Sequence, residues 1–318
     1  MPQAAWFLAS VIPLVLAAQR PVTIDIEDAG HFDDMRGVET IRVRTGHASI
    51  DLRPSEDHRL HYEILGTLHW SVNAPLPQVL RKAQVARAGR ELSIAFGVAV
   101  VSPYTASARL VIYVPTSRQT VLDLESGNGD IRLKGLEVQR VQVDAAGGDI
   151  ALEGLSADWV TVKAEVGDVR LAVSNIQSLK VMTKAGEVRI TRVNAATTTI
   201  ETASGDTHLD GWKGELSHHT ESGEVVARLD AEAKGRMSFS SKSGDIHVDL
   251  PAKLGVDLRA SSASGVVRSD LPLVLEGLRQ NQVNFKWGGG LLALDLSTRS
   301  GDISLNTQRA AAGAKVPL

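Results

Sequence analysis

From residue 120 onward the chain alternates apolar and polar residues with a period of two on both sides of a recurring Gly-acid-aliphatic triplet. A period of two marks a strand with one buried face, not a helix. The triplet appears as Gly129-Asp130-Ile131, Gly148-Asp149-Ile150, Gly167-Asp168-Val169, Gly186-Glu187-Val188, Gly205-Asp206-Thr207, Gly223-Glu224-Val225 and Gly244-Asp245-Ile246. It returns degenerately as Gly265-Val266-Val267 and finally as Gly301-Asp302-Ile303. Successive glycines lie 19, 19, 19, 19, 18, 21, 21 and 36 residues apart, which makes this an internal repeat. Before the glycine stand Val141, Val143 and Ala145, or Val160, Val162 and Ala164; after it stand Ile131 and Leu133, or Ile150 and Leu152. Each unit of about 19 residues therefore reads as strand, tight glycine turn, strand. Two short strands cannot close a core alone, whereas stacked copies bury one aliphatic column. The expected fold is all-β: a single elongated parallel β-helix, or β-solenoid, rising about 4.8 Å per unit. Eight or nine such units make a rod of roughly 40 Å.

The residue three before each glycine is always small: Ser126, Ala145, Ala164, Thr183, Thr202, Thr220, Ser241, Ser262 and Thr298. A strand-to-strand corner explains this, because it leaves little room and its hydroxyls can bond backbone groups released by the bend. The acid after the glycine poses a problem. Stacked in register, neighbouring carboxylates repel by about 0.9 kcal/mol even in bulk water. Two residues further, on the same outward face, stand Arg132, Arg170, Arg189, His208, His247 and Arg268. A basic column beside an acidic one turns repulsion into a cross-rung lattice, and Asp-to-backbone bonding at the turn adds to it. The glycines and acids of the triplets are thus expected to be structural. A row of bound cations is the alternative, and stabilisation by millimolar calcium is its test.

Residues 20–120 keep strand patterns with less regularity and are expected to continue the solenoid, whose repeated part covers 121–306. Ile41 to Gly46 followed by Ala48 to Leu52 looks like an early unit, and Gln84 to Ile94 reads as a hairpin turning at Ala88-Gly89. Leu271 to Trp287 interrupts the repeat as an excursion or extra hairpin. Residues 307–318 are expected to form a disordered tail. Residues 1–18 carry an apolar stretch from Trp6 to Ala18 that is too short to span a bilayer and ends in small residues before Gln19. It reads as a signal peptide. No other run reaches transmembrane length, so the expected location is periplasmic or extracellular, without a transmembrane anchor.

Composition narrows the chemistry. The 318 residues include no cysteine, which removes disulfides, thiolate metal sites and thiol nucleophiles. A formal charge of −3 offers no broad basic field for nucleic acid. Five Trp, three Tyr and five Phe are few, as a narrow aliphatic column requires. Acids recur in every unit, whereas a catalytic centre needs one exceptional place, so no catalytic, cofactor-binding or metal-ligating residue is assigned and no cofactor is expected. The histidines are the most localised anomaly. His208 and His247 fall two rungs apart, too far for one metal ion, and His218 and His219 point to opposite faces. Solvated histidines, with one buried where the unit shortens to 18 residues, account for them. Among the tryptophans, Trp212 takes the place of Leu136 and Leu155 and is expected in the core; Trp70, Trp159 and Trp287 are expected to serve as caps or corner plugs.

The lead-in Leu110-Val111-Ile112-Tyr113-Val114-Pro115, the segment Leu124-Glu125-Ser126-Gly127-Asn128-Gly129-Asp130-Ile131, and the closing Gly288-Gly289-Gly290-Leu291 with Leu296 to Ile303 resemble the bacterial putative-adhesin family of β-strand-repeat proteins over about residues 38 to 306. The resemblance implies a cell-envelope or exported β-helical protein and supplies no catalytic residue. The function expected is that of an exported non-enzymatic scaffold binding a macromolecule, either a protein or a glycan of the cell envelope, with self-association open. Two alternatives stand beside it: a polysaccharide-active β-helix enzyme, and an envelope-stress signalling component acting through a partner bound to the N-terminal third.

Overall fold

The structure, a computed structural model, describes residues 22–57, 59–70, 82–97, 105–115, 117–271, 281–289 and 291–308. The expected signal peptide lies outside the described residues, as do 309–318 of the expected tail; Thr307 and Gln308, expected in that tail, instead belong to the last strand, which corrects its start. The N-terminal strands are β1 (Val22–Phe32), β2 (Thr40–Thr45), β3 (Ser49–Pro54), β4 (Leu60–Trp70), β5 (Gln84–Ala88), β6 (Glu91–Phe96) and β7 (Thr105–Val114). The regular repeat supplies β8 (Ser117–Ser126), β9 (Ile131–Lys134), β10 (Glu137–Ala145), β11 (Ile150–Glu153), β12 (Ser156–Val166), β13 (Val169–Ala172), β14 (Asn175–Ala185), β15 (Val188–Thr191), β16 (Asn194–Ser204), β17 (Thr207–Trp212), β18 (Glu215–Ser222), β19 (Val225–Leu229), β20 (Gly235–Ser243) and β21 (Ile246–Pro251). The last strands are β22 (Val256–Ser262), β23 (Val267–Ser269), β24 (Gln282–Trp287), β25 (Leu292–Ser300) and β26 (Ile303–Gln308).

The chain is an all-β solenoid with two strands per turn, built, among the described residues, as two facing sheets of 13 strands each. Sheet A, in the order β1-β4-β7-β3-β9-β11-β13-β15-β17-β19-β21-β26-β23, takes the short strands that follow each glycine. Sheet B, in the order β24-β22-β25-β20-β18-β16-β14-β12-β10-β8-β2-β6-β5, takes the longer strands that precede it. Pairing within the repeat is parallel and in register, as in Val141↔Val160 and Ile150↔Val169. Alternation then sends Ile131, Ile150, Val169 and Val188 inward from sheet A, and Val143, Val162, Val181 and Ile200 inward from sheet B, all at most 1% exposed. The expected hairpin at Ala88-Gly89 is present as β5 and β6, and the early unit at residues 41–52 is β2 and β3.

The two ends differ from simple sequential stacking. With 13 strands per sheet at about 4.8 Å each, the rod is about 58 Å long rather than the 40 Å reckoned from the regular units, because strands of the N-terminal third extend both sheets. The rung β2/β3 sits between β8/β9 on one side and β6 with β7 on the other. At the far end β25/β26 sits between β20/β21 and β22/β23, two rungs that are consecutive in the chain. The 36-residue step between Gly265 and Gly301 reflects this order: Gly265 lies on Gly301, and Gly301 lies on Gly244. The interruption after Leu271 contains β24, which pairs antiparallel with β22 at the edge of sheet B.

Each unit has a second corner, where sheet A hands over to sheet B. It is formed by the stacked positions Gly135, Gly154, Val173, Arg192 and Gly211, whose φ values are +66°, +66°, +46°, +51° and +71°. Backbone bonds between rungs impose the conformation: Gly154 N–H donates to Ala172 O at 3.1 Å, and Val173 N–H to Thr191 O at 3.1 Å. A β-branched residue pays in strain for a left-handed backbone. Val173 is also 52% exposed, so its side chain returns little by burial. Val173→Gly should therefore raise stability by about 0.5–1 kcal/mol despite the extra freedom of glycine in the unfolded chain. Thermal melting checks this, and an unchanged or lower melting temperature would remove the strain argument.

Candidate binding face

The predicted turn residues come together as one continuous ladder. Gly148, Gly167, Gly186, Gly205, Gly223 and Gly244 each rest on the carbonyl of the glycine one rung below, and Gly129 rests on Ala48 O. The acids beside them run along the rod, but their main partner is not the basic column. Asp130 Oδ1 accepts the N–H of Asp149 at 3.0 Å, Asp149 Oδ1 that of Asp168 at 3.0 Å, and Asp168 Oδ1 that of Glu187 at 3.0 Å. Asp206 does the same for Glu224, and Asp245 for Asp302. Each aspartate thus caps the backbone of the next rung, and only its second oxygen serves the basic lattice, as in Asp130–Arg132 and Asp168–Arg170 at 2.7 Å each.

Glu187 and Glu224 make no such cap. Their longer side chains reach the basic position of the following rung instead, His208 at 3.5 Å and His247 at 3.1 Å, and Glu187 also pairs with Arg189 of its own rung. At the end of the ladder the Val266 N–H and the Arg268 guanidinium hold the Asp302 carboxyl below the usual carboxylate range. Because the inward-facing aspartate oxygens are filled by amides, the ladder works as a backbone clip. Asp168→Asn keeps the acceptor and should cost less than about 0.5 kcal/mol, whereas Asp168→Ala should cost about 1 kcal/mol. Urea titration separates the two, and equal losses would show that the charge rather than the acceptor matters.

The small corner residues are all buried, as their size requires. Their hydroxyls behave unevenly. Ser126 Oγ donates to Gly129 O at 2.8 Å and Ser262 Oγ to Gly301 O at 2.8 Å, while the hydroxyls of Thr183, Thr202 and Ser241 have no partner. At those three rungs the side chain fills space and does not hold the turn.

The outer face of sheet B is the broad surface of the molecule. Asp144, Lys163, Met182, Glu201 and His219 stand in one column across β10 to β18. They line a shallow groove of about 670 Å³ that also takes in Thr199. Its charges are largely paired across rungs: Glu165 with Lys184 at 2.5 Å, Lys180 with Glu201 at 3.4 Å, and Glu221 with Lys242. Trp159 stands on the same outer face, 41% exposed, with the Arg140 guanidinium 5.3 Å from its ring centre. This corrects the expectation of a corner plug: in β12 the positions Asp158 and Trp159 both face outward, and the indole falls on the solvent side. Trp212 is in the core, 0% exposed, with its Nε1 donating to Gly214 O at 3.0 Å. Trp287 packs partly buried against the core from β24, and the Trp70 side chain lies outside the described residues.

The histidines do not converge. His208 and His247 are separated by the rung carrying Val226. His219 is exposed, whereas His218 is 1% exposed, in the unit shortened to 18 residues. Burial pushes the His218 pKa down to about 4. Its Nε2 lies 3.0 Å from Thr207 Oγ1 across the core, and its Nδ1 has no partner. His61 pairs with Asp57 at 2.8 Å, His58 and the side chain of His69 lie outside the described residues, and no cluster of three potential metal ligands occurs among the described residues.

Three crystal structures to which this chain is similar are those of putative adhesins. One, from Bacteroides fragilis NCTC 9343, has a TM-score of 0.47 and 12% identity, covering 90% of this chain and 97% of that one. Another, from Parabacteroides distasonis ATCC 8503, has a TM-score of 0.45 and 11% identity, covering 88% and 97%. The third, from Parabacteroides merdae ATCC 43184, has a TM-score of 0.33 and 12% identity, covering 90% and 96%. No curated protein matches the sequence. The pattern that describes one family does match, over residues 38–306, from just before β2 into β26, and on that span the chain belongs to the Toastrack DUF4097 family.

Proposed function

We propose that this protein is an exported, non-enzymatic scaffold that binds a macromolecule of the cell envelope along the outer face of sheet B. The observation that supports this most is the groove of about 670 Å³ on that face, drawn from equivalent positions of successive rungs. A site spread over repeated rungs suits an extended ligand, since each rung offers a further contact at a spacing of about 4.8 Å. The charges of the face are paired with opposite signs, which favours a neutral or mixed-charge glycan or protein segment over nucleic acid. The turn acids are engaged with backbone amides, which argues against their use in polysaccharide cleavage.

The test pairs Met182→Glu with Thr199→Glu, both on the groove, and follows co-sedimentation of the protein with isolated envelope fractions. Binding should fall at least about tenfold with the melting temperature unchanged, about 1.4 kcal/mol of affinity. Val226→Glu on the outer face of sheet A should leave binding intact. Unchanged binding by the groove variant, or release of sugar fragments from the envelope, would overturn this reading. N-terminal sequencing of the protein recovered outside the cytoplasm should begin at Gln19.

A further inference from the structure

The last rung of the solenoid is set into the structure rather than added to its end. The slot that holds it is walled by β20/β21 on one side and β22/β23 on the other. Those walls are joined to each other by the short connection from Pro251 to Val256, so they stay together whatever fills the slot. The strand that leads into the slot, β24, lies on the opposite side of β22 from β25. The chain must therefore step across the start of β22, and it does so at Gly255, whose carbonyl accepts the Leu292 N–H at 3.2 Å.

On the two sides of that step stand Gly288 and Gly289, which follow β24, and Leu291, which precedes β25. Gly288 and Gly289 have φ values of +50° and +62°, nothing lies within 4 Å of where a Gly289 Cβ would sit, and Leu291 is 77% exposed. Two glycines in a left-handed conformation, with no side chain to repack, can change their backbone angles at little cost. We propose that β25 and β26 form an exchangeable arm hinged at Gly288 and Gly289, and that the slot of one molecule accepts the arm of a second copy of the chain.

The contacts that seat the arm are specific and transferable. Asp302 N–H donates to Asp245 Oδ1 at 2.7 Å and Val266 N–H to Asp302 Oδ1 at 2.9 Å, which splices the arm into the aspartate ladder on both of its sides. Gly244 N–H donates to Ser300 O at 2.9 Å, and Gln308 Nε2 reaches Leu229 O at 2.7 Å. Every one of these bonds is the same whether the arm comes from its own chain or from another. Exchange therefore trades only the effective concentration of a tethered arm against the concentration of protein.

The absence of cysteine makes a clean test possible. Ser240 of β20 and Ser297 of β25 are register partners at the wall of the slot, within the reach of a disulfide across adjacent strands. Full-length Ser240→Cys, carrying a mass tag, is mixed with full-length Ser297→Cys, held at about 0.1 mM and oxidised. With a tethered effective concentration of about 1 mM, about one chain in ten should form the mixed disulfide dimer. The control mixture is Thr161→Cys with Lys180→Cys, register partners on the central strands β12 and β14, and it should form none. A mixed dimer no more abundant than in this control would overturn the proposal. The doubly substituted Ser240→Cys/Ser297→Cys chain should close its disulfide internally and remain monomeric, and failure of that internal bond would remove the slot itself.

Discussion

Gly186→Ala should destabilise the solenoid by about 4 kcal/mol, a loss reserved for changes that violate backbone geometry. Two causes act together. The φ of Gly186 is +129°, a conformation open in practice only to glycine, and a Cβ there would lie 2.1 Å from Gly167 O. The obstacle is the backbone of the rung below, which is held by its own cross-rung bonds and cannot turn aside as a flexible side chain would. At about 2 °C per kcal/mol for a chain of this size, the melting temperature should fall by about 8 °C. Hydrogen exchange should quicken most in the rungs on either side, because a repeat array transmits stability through its nearest neighbours. Gly46 provides the contrast: its φ is not left-handed, and nothing lies within 4 Å of a Cβ there. Gly46→Ala should change stability by less than about 1 kcal/mol, and comparable losses at the two positions would refute the stacking argument.

Acid should weaken the fold through a single buried side chain. His218 stands in an inward column between Ile200 and Phe239, where every position from Val143 to Phe239 except its own is apolar. Folded, its pKa lies near 4; unfolded, it returns to about 6.5. A depressed histidine binds its proton more readily in the unfolded chain. Its neutral form therefore leaves stability whole above pH 6.5, and that contribution drains away as the pH falls toward 4. The loss amounts to about 3 kcal/mol at 1.36 kcal/mol per pKa unit. His218→Ile alone should remove this pH dependence but strand the Thr207 hydroxyl in the core, costing about 1–3 kcal/mol at neutral pH. Thr207→Val combined with His218→Ile restores an aliphatic column in both sheets and should be at least as stable as the parent at pH 7. Urea titrations at pH 7 and 4.5 check both variants. If the double variant still lost as much stability between those pH values as the parent does, His218 would not be the acid-sensitive group.

Where an element could be read from the sequence, the cause was local. Period-two alternation around a fixed glycine decides which side chains face inward wherever units stack in register, so the columns of Val, Ile and Leu and the small corner residues follow from order along the chain. The burial of one histidine in the shortened unit was legible for the same reason. The second corner was not, because Val173 and Arg192 hide it: a left-handed backbone held by cross-rung bonds leaves no glycine signature where a valine has been forced into it. Nor could spacing reveal that the aspartates cap the amides above them while Glu187 and Glu224 reach past to histidines, since one methylene decides which partner lies within range.

By itself, then, the sequence determined an all-β solenoid with its turns, its inward columns and an acidic ladder, because each of these depends on neighbours a fixed number of residues away. Only the tertiary structure decided the order of the rungs at the two ends. The units at residues 40–54, 256–269 and 292–308 have similar patterns and fit any vacant rung equally well by alternation alone. Which one occupies the slot depends on the path of the connections between them. The step across Gly255 carries the final unit past β22 and into the interior of the stack, a choice made by chain geometry and not by any difference in hydrophobic pattern.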